Sequence, residues 1–197
     1  MNFRQILTAP NQLTLLRMVF LPFIVDNLVD RHYTTALVLF VVAGLSDGLD
    51  GQLARRLHQQ TTLGQYLDPI ADKLLLSTMF LSLSMMHKIP WRYTVMVFSR
   101  DISILAASAV LYTIAGLRDF RPSIFGKANT FAQVAAIFFV MLFEVYRVQW
   151  VLILKTAFLW ATFAFTVISG VHYVFLAQHR MRELGHSEEH AVGSKVA

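Results

Sequence analysis

Apolar residues run along this chain in long blocks, and polar residues interrupt them at few places. Six blocks read as helices, at roughly 13–29, 34–57, 65–88, 91–117, 127–146 and 149–178. Each reaches or exceeds the about 17–25 residues that a helix needs to cross a bilayer core. Pro10 stands before the first block and Pro90 separates the third from the fourth. The clearest polar link is "GLRDFRPS" (116–123), and the tail "HRMRELGHSEEHAVGSKVA" is polar throughout. No internal repeat or low-complexity tract appears. The pattern predicts an all-α membrane protein, a six-transmembrane-helix bundle. Residues 1–180 form its one domain and 181–197 a polar C-terminal tail.

Composition agrees with a lipid environment. Of the 197 residues 56% are hydrophobic and 15% are charged, against about 25% charged in a soluble domain. Mean hydropathy is +0.54. With no Cys, disulfides and thiolate metal sites are excluded. The net charge of +5 suits an anionic leaflet or anionic substrates, and no nucleic-acid partner is expected. The N-terminal "MNFRQILTAPNQLTLLRM" has no basic stretch followed by a short apolar core, so no cleaved signal is expected there.

Basic residues set the expected orientation. Six crossings put both termini on one side, with Arg4, Arg55, Arg56, Arg118, Arg121, Lys127, Arg180, Arg182 and Lys195. Arg31, Lys88, Arg92 and Arg147 fall on the other. The richer side is predicted to be cytoplasmic, and the expected home is a bacterial cytoplasmic membrane.

Against this background "SDGLDGQLARRLHQQTTLGQYLDPIADK" (46–73) concentrates four aspartates, Asp47, Asp50, Asp68 and Asp72. On a helix Asp47, Asp50, Gly51 and Ala54 share one face, and Gly64, Asp68 and Asp72 share another. The link "LHQQTT" turns the two helices back on each other, so both acidic faces meet across one cleft. Carboxylates gathered beside apolar helices repel unless cations neutralise them. Their hard oxygens suit Mg²⁺, Mn²⁺ or Ca²⁺. Two such metals can polarise a phosphoryl group and steady attacking and leaving oxygens. Gly51 and Ala54 leave room for a bulky ligand, and Arg55 offers a fork for phosphate. The plainer reading is a solvated acidic loop, which the matched register on both helices argues against.

"DGLDGQLARRLHQQTTLGQYLDPIAD" fits D-x2-D-G-x2-A-R-x8-G-x3-D-x3-D at all eight fixed positions. In this it resembles the CDP-alcohol phosphatidyltransferases, and the count of six helices makes the resemblance nearly chain-long. The resemblance implies a six-helix membrane bundle, a homodimer in the family's manner, and two divalent cations, Mg²⁺ or Mn²⁺. It also implies CDP-diacylglycerol as donor, an alcohol as acceptor and CMP as product. By position, Asp47, Asp50, Asp68 and Asp72 are expected as metal ligands and Asp72 as general base. Gly51, Ala54, Arg55 and Gly64 are expected to contact the cytidine diphosphate.

Polar residues elsewhere bear on the acceptor. Asn11, Thr14 and Arg17 share a face at the start of the first helix; as plain structure, Asn11 caps the helix and Arg17 snorkels. Lys73 is expected to pair with a carboxylate or reach a phosphate. Arg100 and Asp101 lie together in "FSRDIS"; adjacent helical residues do not face each other, so Arg100 is expected to meet an anion or another helix's carboxylate, with Asp101 as its support. "RPSIFGKANTFAQ" brings Arg121, Ser123 and Lys127 to the start of the fifth helix, with Arg118 just before, a phosphate-binding arrangement. Capping and the bias of basic residues toward the cytoplasm account for the same residues more plainly.

This cationic set favours a phosphorylated acceptor over choline or ethanolamine. "DPIADK", "SRD" and "GKANT" resemble two branches of the family, whose acceptors are glycerol 3-phosphate and phosphatidylglycerol (the latter giving cardiolipin). Asn129, where the first branch often has Lys, and "SRD" in place of Arg-Glu lean toward the second. Glycerol 3-phosphate is the first expectation, phosphatidylglycerol the alternative and inositol phosphate a weaker third. A cation transporter is the reading from another class, but its acids would spread over several helices. A membrane protein that merely binds cations is expected to lack one of the fixed aspartates.

Overall fold

The computed structural model describes residues 9–57, 62–115 and 124–171, with side-chain surroundings given for 17–46, 70–106 and 126–171. Among these residues the chain is all-helical. The helices are α1 (Ala9–Val29), α2 (Tyr33–Leu57), α3 (Thr62–Met85), α4 (Trp91–Ala115) and α5 (Ile124–Tyr146), then α6 (Gln149–Val171). All six predicted blocks are helices. α1 begins earlier than expected and takes Pro10 into its first turn. Proline is tolerated there because first-turn N–H groups have no intrahelical acceptor. Asn11 therefore lies inside α1 rather than at its cap. Pro22, mid-helix, leaves the Met18 carbonyl without its usual donor.

α1 lies against α2 and α3, α2 against α5, and α3 against α4 and α5. The shared core is aliphatic and aromatic: Ile24 and Leu28 of α1, Phe40 of α2, Met79 and Phe80 of α3, Ile137 and Met141 of α5. Outward positions are just as apolar. Leu105, Phe131 and Met85 are each at least 70% exposed. So wide an exposed apolar surface is rare on a soluble monomer and natural where lipid is the solvent. The protein is an integral membrane protein.

By length and composition, Gly126–Tyr146 and Gln149–Val171 are the clear spanning candidates among the described residues. α2, α3 and α4 dilute their apolar runs with charge, carrying Asp47 and Asp50, Asp68, Asp72 and Lys73, and Arg100 and Asp101 respectively.

Three links are very short, 30–32, 86–90 and 147–148, so the helices they join run antiparallel. Each reverses through a non-glycine residue in the left-handed region: Arg31 (φ 62°), His87 (φ 59°) and Arg147 (φ 47°). After α1, the Arg31 N–H donates to the Leu28 carbonyl at 3.1 Å and the His32 N–H to the Asn27 carbonyl at 2.8 Å. His87 and Lys88 repeat this pairing toward Ser84 and Leu83. Both are Schellman caps that satisfy last-turn carbonyls. The second ends α3 at Met85, three residues before the predicted limit.

This end is tied together by polar contacts. Lys88 donates to Glu144 of α5 at 2.6 Å and lies 5.3 Å from the Tyr33 ring centre. The hydrogen bond to Glu144 raises the Lys88 pKa above its ordinary 10.5. The Ser84 and Thr94 hydroxyls sit 2.6 Å apart, pinning α3 to α4.

Candidate active site

The predicted general base, Asp72, stands on α3 below its N-terminal turns. Its carboxylate accepts from the Arg17 guanidinium of α1. Arg17 is only 3% exposed, whereas the Asp72 side chain is 43% exposed. Arg17 therefore does not snorkel. It is buried in the bundle and holds an accessible carboxylate, the arrangement expected when an ionisable group in an apolar helix needs a charged partner. A fixed ion pair constrains the carboxylate's direction while leaving it reachable.

Arg17 and Asp72 head a cavity of about 520 Å³ between α2, α3 and α5. Its wall is apolar, with Phe40 and Leu45 from α2, Leu75 and Leu76 from α3, and Phe131 and Phe138 from α5. A charged head joined to a long apolar wall fits a ligand with a polar group and hydrocarbon tails.

A second charged group adjoins the first through Lys73. Asp101 of α4 accepts from Lys73 of α3 and from Arg100 Nη1 at 2.8 Å. Arg100 Nε donates to the Ser169 hydroxyl of α6 at 3.2 Å. Lys73 thus takes the carboxylate alternative. Asp101 supports Arg100 as expected, but through the direct pairing of neighbours that the sequence disfavoured. The Cβ directions of adjacent helical residues diverge, but the long arginine side chain curves back to the carboxylate. Little water competes, since the two side chains are 8% and 12% exposed.

Arg100 also lines a groove of about 430 Å³ between α4 and α6, with Ser99, Ser103, Thr166 and Gly170. Behind it runs a buried polar seam between α5 and α6. Thr166 donates to the Asn129 side-chain oxygen at 3.1 Å. Because the helices are antiparallel, one turn further along α5 brings Gln133 level with Thr162 one turn back along α6. Among the described residues the buried Gln133 amide and Thr162 hydroxyl find no hydrogen-bond partner, nor does the Asn129 amide nitrogen. The stretch "GKANTFAQ" thus turns Asn129 and Gln133 inward, while Lys127 stays exposed in the first turns of α5.

The backbone places Asp47, Asp50, Gly51, Ala54 and Arg55 on α2 and Gly64 and Asp68 on α3; their side chains lie outside the described set, as do those of Asn11 and Thr14. Arg118, Arg121 and Ser123 lie outside the described residues altogether. Among the described residues no three metal-ligating side chains come together, which leaves the three upstream aspartates untested. Sequence reasoning missed the pairing of Arg17 with Asp72 and the double role of Asp101. The signal was present: an Arg inside an apolar run calls for an anionic partner.

The model of the CDP-alcohol phosphatidyltransferase family matches residues 7–168. The chain belongs to this family. It is a transferase of phospholipid biosynthesis, in a family that depends in general on divalent cations. It is 34% identical over 190 residues to a probable phosphatidylglycerophosphate synthase of Mycobacterium tuberculosis, covering 92% of this chain and 85% of that one. A CDP-diacylglycerol–glycerol-3-phosphate 3-phosphatidyltransferase of Aquifex aeolicus is 31% identical over 174 residues, 85% of this chain and 94% of that protein. Human cardiolipin synthase (CMP-forming) is 40% identical over 101 residues, which is 51% of this phosphatidyltransferase and 34% of the human protein.

Proposed function

We propose that this phosphatidyltransferase moves the phosphatidyl group of CDP-diacylglycerol onto glycerol 3-phosphate, giving phosphatidylglycerol phosphate and CMP. The observation that carries the reading is the half-exposed Asp72, held by buried Arg17 at the head of an apolar cavity. Asp72 takes the proton from the acceptor hydroxyl. That oxygen forms a bond to the phosphorus bearing diacylglycerol, and the bond from this phosphorus to the CMP oxygen breaks. The apolar cavity takes hydrocarbon of the donor. Gly51, Ala54, Arg55 and Gly64 contact its cytidine diphosphate. Arg100, Arg118, Arg121, Ser123 and Lys127 receive the acceptor phosphate, with Asn11, Thr14, Arg17 and Lys73 in support.

The donor set fits a metal. Asp72 presents an accessible carboxylate oxygen, and the acids with it in the motif are all carboxylates, hard ligands that suit Mg²⁺ or Mn²⁺. Asp47, Asp50, Asp68 and Asp72 would hold two such cations. Bound there, the cations supply positive charge against the pyrophosphate and the departing CMP. The protein is read as a six-span homodimer in a bacterial cytoplasmic membrane, with termini and active site on the cytoplasmic side. Residues 1–180 form the catalytic domain and 181–197 its tail.

One observation favours a second acceptor. The groove beside Arg100 is walled by Met96, Val167 and Val171, which suits a phospholipid better than a soluble phosphate. Phosphatidylglycerol would then be the acceptor and cardiolipin the product.

The test is CMP release by purified protein with CDP-diacylglycerol and Mg²⁺, given glycerol 3-phosphate, phosphatidylglycerol or inositol phosphate. Release with glycerol 3-phosphate alone supports the first reading, and with phosphatidylglycerol alone the second. Asp72→Asn should lose about 10²–10⁴-fold in rate, the usual worth of a general base. Full activity in that variant overturns the assignment of Asp72.

A further inference from the structure

We propose that Asp101 is a positioning residue for the acceptor site, acting through Arg100. The inference rests on the reading of Arg100 as a phosphate-binding residue. Its basis is a cluster that joins three helices. Asp101 Oδ1 accepts from both Lys73 of α3 and Arg100 Nη1 of α4. Arg100 Nε is held from the other side by Ser169 of α6, whose hydroxyl donates onward to the Thr166 carbonyl at 3.2 Å. Two anchors on different edges of a planar guanidinium fix its plane and its direction. Without them a side chain with four rotatable bonds samples many directions.

Charge points the same way. Lys73 and Arg100 share the Asp101 carboxylate, so this trio by itself carries one positive charge in excess. A guanidinium as little exposed as that of Arg100 is costly to hold in apolar surroundings, and an anion beside it offsets that cost. Arg100 borders the α4–α6 groove, while Lys73 follows the base in sequence. Asp101 keeps the two cations from repelling each other and turns Arg100 to meet the phosphate.

The test compares Asp101→Asn, Asp101→Glu and Ser169→Ala in the full-length protein, with acceptor and donor varied separately. Asp101→Asn keeps an acceptor oxygen but loses the charge. It should raise KM for the acceptor about tenfold to hundredfold, the worth of a charge-assisted hydrogen bond, with kcat and the donor KM within about twofold. Ser169→Ala should move the acceptor KM the same way by a smaller factor, and Asp101→Glu should recover most of the loss. An unchanged acceptor KM in Asp101→Asn, with only a lower melting temperature, overturns the proposal. So does a fall in kcat alone. If Asp101→Asn does not fold, Ser169→Ala decides: an unmoved acceptor KM overturns the proposal. If wild-type protein releases no CMP with any acceptor, the functional reading fails by itself. Calorimetry with inorganic phosphate then judges Asp101, since weaker binding in the variants supports its role and equal binding overturns it.

Discussion

At the end of the bundle built from the three short links, Lys88 bonds Glu144, and the Glu144 side chain is 8% exposed. At the aspartate-bearing end Arg17 bonds Asp72, but here the cation is buried and the carboxylate is 43% exposed. Both are ion pairs between helices distant in sequence. They differ in which partner remains reachable. The first closes a junction: Lys88, Tyr33 and Glu144 tie a link to the start of α2 and the end of α5. The second opens onto a cavity and leaves its acid available. Which partner stays exposed is what separates a pair that can only brace the bundle from one that can also meet a ligand.

The sharpest way to break the comparison is to remove the cation from each pair. Arg17→Met should lower CMP release about tenfold to hundredfold, the usual loss when a partner orienting a metal-ligating carboxylate is removed. The melting temperature should change little, because Asp72 is exposed enough to stay solvated. A large fall in stability without loss of turnover would make Arg17–Asp72 a clamp like Lys88–Glu144.

The buried seam offers an effect on stability, with the opposite sign. Gln133 has neither side-chain polar atom satisfied, so Gln133→Leu removes two desolvated groups at similar volume. A gain of about 1 kcal/mol is expected, read as a raised melting temperature. A clear loss would mean that the amide is satisfied in the membrane-embedded protein.

Glu144→Gln should cost about 1–2 kcal/mol, since it replaces a little-exposed, charge-assisted hydrogen bond, with no change in CMP release. Its pH dependence follows from the raised Lys88 pKa. The pair's contribution is fully present below the unfolded pKa of about 10.5 and is lost as pH rises through the higher folded value. On the alkaline side, wild type and Glu144→Gln should therefore converge in melting temperature only above about pH 10.5. Convergence near neutral pH would contradict the pairing.

The smallest effects belong to the caps. Arg31→Gly, His87→Gly and Arg147→Gly each relieve a left-handed non-glycine residue, a strain of about 1 kcal/mol. The more flexible unfolded chain takes back part of that gain. A rise of a few tenths of a kcal/mol per site is expected in thermal unfolding, and a loss at His87 would show that its side chain matters there.

The candidate motif was legible because its residues are close in sequence. Asp47, Asp50, Asp68 and Asp72 lie on two consecutive helices, so helical periodicity alone suggests their grouping. Arg17 is 55 positions from Asp72 and Ser169 is 69 from Arg100. No local pattern pairs such residues. The Arg100–Asp101 contact was misread for another reason: backbone geometry describes where a side chain starts, and a long flexible one reaches elsewhere when burial rewards the contact. The helix ends strayed likewise, since Pro10 is harmless in a first turn and none of the three caps uses glycine.

By itself the sequence determined the helices, the apolar character of both the core and the outer surface, and the acidic motif with the family it marks. These follow from composition and short-range periodicity. Tertiary structure alone decided which cation holds Asp72, that Asp101 joins Lys73 to Arg100, and that Asn129 and Gln133 face α6. Those depend on how helices pack. In an apolar bundle the few charged and polar groups must find partners wherever packing brings them, at whatever distance along the chain.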